Sequence, residues 1–297
     1  MKKFVATGIQ IAPILNDIPA TIEKCLAYME RAVHEYHADL IVFPETVTTG
    51  FATGWAPDEL YDKIDAIPGN LTSAVQKSAR ALKVHVVWPT YSRGDRPGIV
   101  YNSAALIDDR GEILGIYHKT HPFPTERIEG GGWTTPGHEI KSFQTPLGRI
   151  GIMICYEGDF PEIARIHAIQ GAEILVRPSA LLRSFDIWDL TNRARAYDNH
   201  VYVVGVNIVG PDAGGNYYFG HSMIVDPIAH RLAQARGTEE IIYAELNPNP
   251  LRYVTWGSKS PMTFDHLEDR NIHLYGDLLK EAKSPFDPSE RIPYKKR

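Results

Sequence analysis

Cysteine is scarce in this chain: Cys25 and Cys155 are the only two among 297 residues. Two thiols cannot build a disulfide framework, and a chain of this size needs none to stabilise a core. The sequence therefore predicts a reducing compartment, the cytoplasm. Long apolar runs are missing too. None approaches the roughly 18 residues of a membrane-spanning helix. After the basic opening Met1-Lys2-Lys3, the apolar stretch is broken by Gln10, Pro13, Asn16 and Asp17 before it could act as a signal core. Positive charge is in deficit, with 31 Lys and Arg against 36 Asp and Glu and a formal net charge of -5. No long-range field favours nucleic acid or an anionic membrane, and neither is expected as a partner. Low-complexity segments and short internal repeats are also absent, which excludes collagenous, disordered and solenoid chains.

What is present is an ordinary globular composition, 43% hydrophobic and 10% aromatic, arranged as alternating strand and helix patterns. Residues 4–11 read as a strand. A helix opens at Pro19-Ala20-Thr21 with Ile22, Leu26, Met29 and Val33 on its apolar stripe, and residues 40–43 form a buried strand stopped by Pro44. Residues 73–83 predict a helix and 84–88 a strand. Residues 102–107 and 113–117 predict a hairpin around Asp108-Asp109-Arg110-Gly111. Residues 119–138 lack periodicity and form a long loop of the kind that carries function. Strands at 149–154, 174–176, 202–207, 222–225 and 241–246 then alternate with helices at 160–170 and 185–198. No linker interrupts this series, so the reading is α/β with a single domain over residues 1–247. Residues 248–297, rich in Pro and charge with a short helical pattern at 274–282, read as an extension.

Chemistry concentrates at predicted strand ends, where ligands of α/β sheets collect. Cys155 ends an apolar strand pattern and precedes a helix, which suits a nucleophilic thiolate; Cys25, on a helix stripe, reads as a small buried hydrophobe. Glu45 follows the strand 40–43 on the same sheet edge and can act as general base, or sit in an exposed loop. Lys119 follows another strand and can stabilise an oxyanion, or form a surface ion pair. Glu126 is a second carboxylate in the long loop, with Glu129 as its competitor. His118 and His121 have a spacing that suits a metal pair, but no Cys or carboxylate pattern completes a site, so no metal is expected. His34 and His37 read as solvated. The stretch Gly220-His221-Ser222-Met223-Ile224 lacks the second glycine of a serine nucleophile elbow.

Three segments, in order, resemble one family. Leu40-Ile41-Val42-Phe43-Pro44-Glu45 resembles the first motif of the nitrilase (carbon-nitrogen hydrolase) superfamily. Gly115-Ile116-Tyr117-His118-Lys119-Thr120-His121 resembles its lysine motif, and Gly148 through Glu162, containing Ile154-Cys155-Tyr156-Glu157, its cysteine motif. Tyr101-Asn102-Ser103-Ala104, Arg193 through Asn199 and Gly220 through Pro227 agree. The resemblance implies a four-layer α-β-β-α sandwich, cofactor-free hydrolysis of a non-peptide carbon-nitrogen bond, and a homodimer or higher homo-oligomer. It makes Glu45 the general base, Cys155 the nucleophile, Lys119 the oxyanion cation assisted by the Tyr156 N–H, and Glu126 the second glutamate. It makes residues 248–297 an expected oligomer-contact arm.

Within the family, nitrilases usually place Trp after the cysteine, whereas amidases and carbamoyl-amide hydrolases often have Tyr, Asp and then Phe-Pro-Glu. Tyr156 and Phe160-Pro161-Glu162 favour an amidase acting on a small amide or N-carbamoyl compound; Glu157 departs from the Asp. The alternatives are a nitrilase and a catalytically retired binding module. Expected substrate contacts are Tyr156, Trp188, Ser179, Ala180 and Trp133, with simple packing the alternative for each tryptophan. Arg177 can bind a substrate carboxylate or pair with Glu157 or Asp159.

Overall fold

The computed structural model describes residues 1–255, 257, 259–286, 288–292 and 294. The chain runs through β1 (Phe4–Gln10), α1 (Ile18–Tyr36), β2 (Leu40–Val42), α2 (Pro57–Lys63), α3 (Asn70–Leu82) and β3 (His85–Arg93). It continues through β4 (Val100–Ile107), β5 (Ile113–His118), β6 (Ser142–Thr145), β7 (Gly148–Ile152), α4 (Pro161–Ile169) and β8 (Ile174–Ser179). The last elements are α5 (Phe185–Asn199), β9 (Tyr202–Asn207), β10 (Val209–Pro211), β11 (Tyr217–Phe219), β12 (Met223–Val225), β13 (Arg231–Gln234) and β14 (Glu240–Leu246).

Two six-stranded sheets result, with orders β14-β1-β2-β3-β4-β5 and β13-β12-β9-β8-β7-β6. In each, three parallel strands are flanked by antiparallel ones. The side-chain period of two explains the layering. Leu40, Val42, Val87, Ala104 and Leu106 point into the space between the sheets, where they join Ile152, Val176, Val204 and Val206. Their neighbours Ile41, Phe43, Val86, Trp88, Ala105 and Ile107 point the other way, onto Ile22, Cys25 and Met29 of α1 and Val75 and Ala79 of α3. α4 and α5 cover the second sheet through Ile163, Ala164, Trp188 and Ala196. This is the expected α-β-β-α sandwich. At Gly8 the sheets come so close that a Cβ would lie 2.9 Å from Val206 Cγ2 and 3.1 Å from Ile242 Cγ1.

Several elements differ from the sequence reading. β3 extends to Arg93 because β4 pairs with it residue by residue from Val86↔Ile107 to Arg93↔Val100. α2 buries only Leu60, and β6 and β13 are four-residue strands at the sheet edge, too short or too polar for a periodic signal. The pattern at 274–282 is not an α-helix. Two 3-10 turns, Ile272–Leu274 and Gly276–Leu279, occupy that region with Leu274, Leu278 and Leu279 exposed.

The extension lies along the second helix layer. His266 stacks on His200 at 4.2 Å, and its carbonyl accepts from Arg165 Nη1 at 3.2 Å. Further on it returns to the long loop: Arg127 Nη1 donates to Ile292 O (3.1 Å) and Tyr294 Oη to Thr120 O (2.6 Å). Among the described residues no helix is long and apolar enough to cross a membrane.

Candidate active site

The parallel strands of both sheets deliver their carboxyl ends to one place. The turn after β2 carries Glu45, which is fully buried. Its Oε1 accepts from Lys119 Nζ at 2.7 Å and from Asn102 Nδ2 at 2.8 Å, and its Oε2 accepts from the Ala180 N–H at 2.8 Å. Lys119 is the first residue beyond β5, and its ammonium also reaches Glu126 Oε1 at 2.5 Å. A 3-10 turn, Pro124–Glu126, folds the long loop inward and buries Glu126. There Glu126 accepts from the Phe123 N–H (2.7 Å), Asn102 Nδ2 (3.1 Å) and Thr134 Oγ1 (3.3 Å). Glu129 falls in the next 3-10 turn, on the surface.

Cys155 leaves the second sheet after β7 with φ +50°, a conformation that L residues other than Asn and Asp seldom adopt outside functional turns. It opens a 3-10 turn, Cys155–Asp159, and is 6% exposed. The Ala180 N–H that holds Glu45 follows β8, the strand beside β7, and so ties the base to the sheet that carries Cys155.

The electrostatics follow from enclosure. Burial, and then the Glu45 charge, push the Cys155 thiol up to about 12, against the opposing pull of Lys119 and Arg177. The resting group is the thiol, so reaction requires a base beside it. Burial alone would lower the Lys119 ammonium, but Glu126, Glu45 and Cys155 together outweigh it and hold its pKa above the ordinary lysine value. Lys119 is a fixed cation. Burial raises the Glu126 carboxyl despite Lys119, and Glu45 adds to the rise.

Two residues missed by sequence reasoning complete the arrangement. The Asn102 amide bridges both carboxylates; its only signal was membership in a supporting stretch. Glu157, noted as a departure from Asp and as a candidate partner of Arg177, is fully buried. It accepts from Tyr117 Oη (2.7 Å), the Thr120 N–H (2.7 Å), Thr120 Oγ1 (2.6 Å) and the Ile154 N–H (2.6 Å). This carboxylate ties the segment after Lys119 to the strand end before Cys155.

The expected substrate contacts divide. Ala180 is in the cluster and Ser179 adjoins it, its hydroxyl donating to Arg177 O at 3.2 Å. Tyr156 packs edge-on against Phe123 (5.3 Å) and Phe160 (5.0 Å), with the Arg183 guanidinium 5.5 Å over its ring. Trp188 lies in the core: it is fully buried beneath Arg177, and its indole N–H donates to His221 O at 2.7 Å. Trp133 is one aromatic layer behind the site. It packs on Tyr91 (5.6 Å), whose hydroxyl donates to Phe51 O (3.0 Å), and the Phe51 ring lies 5.5 Å from Lys119 Nζ. Arg177 pairs with Asp159 and not with Glu157. His118 bonds Ser103 and His121 bonds Thr120; among the described residues no three His, Cys, Asp or Glu side chains are grouped to hold a metal.

Comparison with known proteins identifies the family. The family model described as carbon-nitrogen hydrolase matches residues 6–254. The protein named "Probable nitrilase C965.09" from Schizosaccharomyces pombe is 34% identical over 280 residues, 91% of this chain and 97% of that protein. "Omega-amidase NIT3" from Saccharomyces cerevisiae is 28% identical over 289 residues, 92% and 97% of the two chains. Among solved structures, a carbon-nitrogen hydrolase from Helicobacter pylori superposes with a TM-score of 0.79 at 26% identity, covering 94% of this chain and 99% of its own. The matched span holds Glu45, Lys119, Glu126 and Cys155, and the chain belongs to the carbon-nitrogen hydrolase family.

Proposed function

We propose that the protein is a cytoplasmic amidase that hydrolyses a small linear amide or N-carbamoyl compound through a Cys155 thioester, without a cofactor. The observation that supports this best is the convergence on Glu45. One carboxylate takes hydrogen bonds from Lys119 and Asn102 on one oxygen, and on the other from the Ala180 N–H of the sheet that carries Cys155.

Glu45 takes the Cys155 proton as the sulfur attacks the carbonyl carbon, forming the C–S bond. Negative charge moves to the carbonyl oxygen, where Lys119 and the Tyr156 N–H stabilise it. The intermediate collapses by breaking the C–N bond, and ammonia or an amine leaves with the proton that Glu45 returns. Water then gives a proton to Glu45 and adds to the thioester. The C–S bond breaks, the acid departs, and Glu45 reprotonates the sulfur. Glu126, the second carboxylate on the Lys119 ammonium, keeps that cation in place while Glu45 cycles between charged and neutral. Tyr156, Ser179 and Ala180 border the reacting carbon; Trp188 and Trp133 support the walls from behind.

We further propose a homodimer or larger homo-oligomer. Ile166 and Ile169 of α4 and Ile187 and Leu190 of α5 are exposed, an apolar face of the kind that self-association covers. The extension 248–297, whose His266 bonds Arg165 of α4 and Tyr197 of α5, would contribute as a contact arm.

A panel of amides, N-carbamoyl amino acids and matched nitriles, followed by ammonia or amine release, tests the substrate class. Amides are expected to turn over and nitriles not; preference for nitriles would overturn the reading. Cys155→Ala is expected to abolish turnover, and iodoacetamide to label Cys155 before Cys25.

A further inference from the structure

Arg177 is a costly residue to keep where it is. It sits in β8, is fully buried, and among the described residues pairs with one carboxylate, Asp159, whose Oδ1 lies 3.2 Å from Nη2. Asp159 is itself shared with Arg183 Nη1 at 2.5 Å. A buried charge so weakly neutralised contributes little to stability, and an apolar residue of similar volume would often serve as well. Its hydrogen bonds show what the guanidinium holds. Nε donates to the Cys155 carbonyl at 2.9 Å, while Nη1 donates to Thr191 Oγ1 (2.7 Å) and Asn192 Oδ1 (3.2 Å) of α5. The Trp188 ring forms its floor at 5.0 Å. Above it there is room only because residue 158 is glycine: a Cβ there would lie 2.1 Å from both Cζ and Nε of Arg177.

The Cys155 carbonyl and the Tyr156 N–H belong to the same planar peptide. Fixing the oxygen at one end fixes where the N–H points at the other. That peptide follows a residue at φ +50° and lies in a 3-10 turn only five residues long, Cys155–Asp159, so the guanidinium adds a side-chain hold to a short element.

We propose that Arg177 is a positioning residue for catalysis: by clamping the Cys155 carbonyl it aims the Tyr156 N–H at the developing oxyanion. This rests on the thioester reading above. The guanidinium reaches no reacting atom; it acts through the peptide. Gly158 is the second half of the device, since it gives the guanidinium its seat. Arg195 is the natural contrast. Its Nε and Nη2 hold the Gly158 and Asp159 carbonyls, both at 3.1 Å, at the far end of the same turn, away from the oxyanion peptide.

Arg177→Lys keeps the charge and loses the fork. It is expected to lower kcat about a hundredfold, the scale of a small misplacement of a reacting group, with KM within threefold. The rate at which iodoacetamide alkylates Cys155 should also stay within threefold, because that reaction needs the sulfur but no oxyanion donor. Gly158→Ala, which leaves Arg177 in the sequence but displaces it, should reproduce the split, and the double variant should be no worse than either single one. Arg195→Lys should lower the thermal midpoint with kcat within threefold. The proposal is overturned if Arg177→Lys and Gly158→Ala both keep wild-type kcat. It is equally overturned if alkylation falls in parallel with kcat, or if the loss appears in KM, since either outcome marks general distortion. Should Arg177→Lys fail to fold, Gly158→Ala carries the test alone. Turnover surviving in Cys155→Ala would instead refute the thioester reading itself.

Discussion

The two sheets share one plan. Each begins with an antiparallel outer strand, β14 in the first and β6 in the second, followed by three parallel strands and two more antiparallel ones. Yet the halves bring different chemistry to their common edge. The first supplies a buried charge cluster: Glu45 after β2, Lys119 after β5 and Glu126 from the loop beyond. The second supplies the sulfur after β7 and a backbone donor, Ala180, after β8. β2 and β8 are equivalent second parallel strands, and their ends meet in the Glu45 to Ala180 hydrogen bond. Proton handling and bond making are thus divided between halves, and their register depends on how the sheets pack.

That division can be broken from either side. Lys119→Met, in the first half, is expected to have the largest effect: loss of at least a thousandfold in kcat, together with about 3–5 kcal/mol of stability, because Glu45 and Glu126 would be left buried without their cation. Activity assays with urea unfolding would measure both, and an active, stable variant would refute the cation's role.

The second half has its own weak point. His167 of α4 is fully buried; Ser142 Oγ lies 2.9 Å from its Nδ1 and Ile152 O lies 2.9 Å from its Nε2. Burial lowers its pKa from 6.5 to about 4. The folded state therefore binds fewer protons than the unfolded one between those values, and the stability His167 contributes is present above pH 6.5 and lost as pH falls towards 4. The shift corresponds to about 3 kcal/mol. Unfolding midpoints across this window should fall more steeply in the wild type than in His167→Gln; parallel curves would exclude this residue as the cause.

A smaller effect is expected between the halves. Gly8→Ala forces a methyl against Val206 and Ile242 and should cost about 1–3 kcal/mol, read as a lower thermal midpoint. No change would mean that the sheets have slack there.

The same division governs what could be read from residues alone. The apolar pattern puts Glu45, Lys119 and Cys155 at strand ends, but Glu45 and Lys119 each also have an ordinary surface reading there, and it is the resemblance of three ordered motifs that gives the three residues their roles. Glu126 could not be separated from Glu129, since the choice is made by a 3-10 turn in a loop without periodicity. Asn102 was hidden in mid-strand: in β4 it looks like any polar residue facing outward until the Glu45 and Glu126 carboxylates are seen on either side. Arg177 reads as a ligand for a substrate carboxylate or a partner of Glu157 or Asp159, but its other partners come from α5 and the cysteine turn, contacts that no local pattern encodes. The repeated sheet plan escaped detection because it is conserved as topology and not as a short repeat of residues.

The strand β14 has a consequence for synthesis. It pairs along the whole of β1, from Phe4↔Leu246 to Gln10↔Glu240, so the first strand made acquires its outer neighbour only after some 230 further residues. At roughly 5–20 residues per second that wait is on the order of ten seconds to most of a minute. Throughout it β1 has an unpaired edge, the feature by which nascent strands recruit the wrong partner. Until residues 240–246 have been made, the first sheet is a half-closed one.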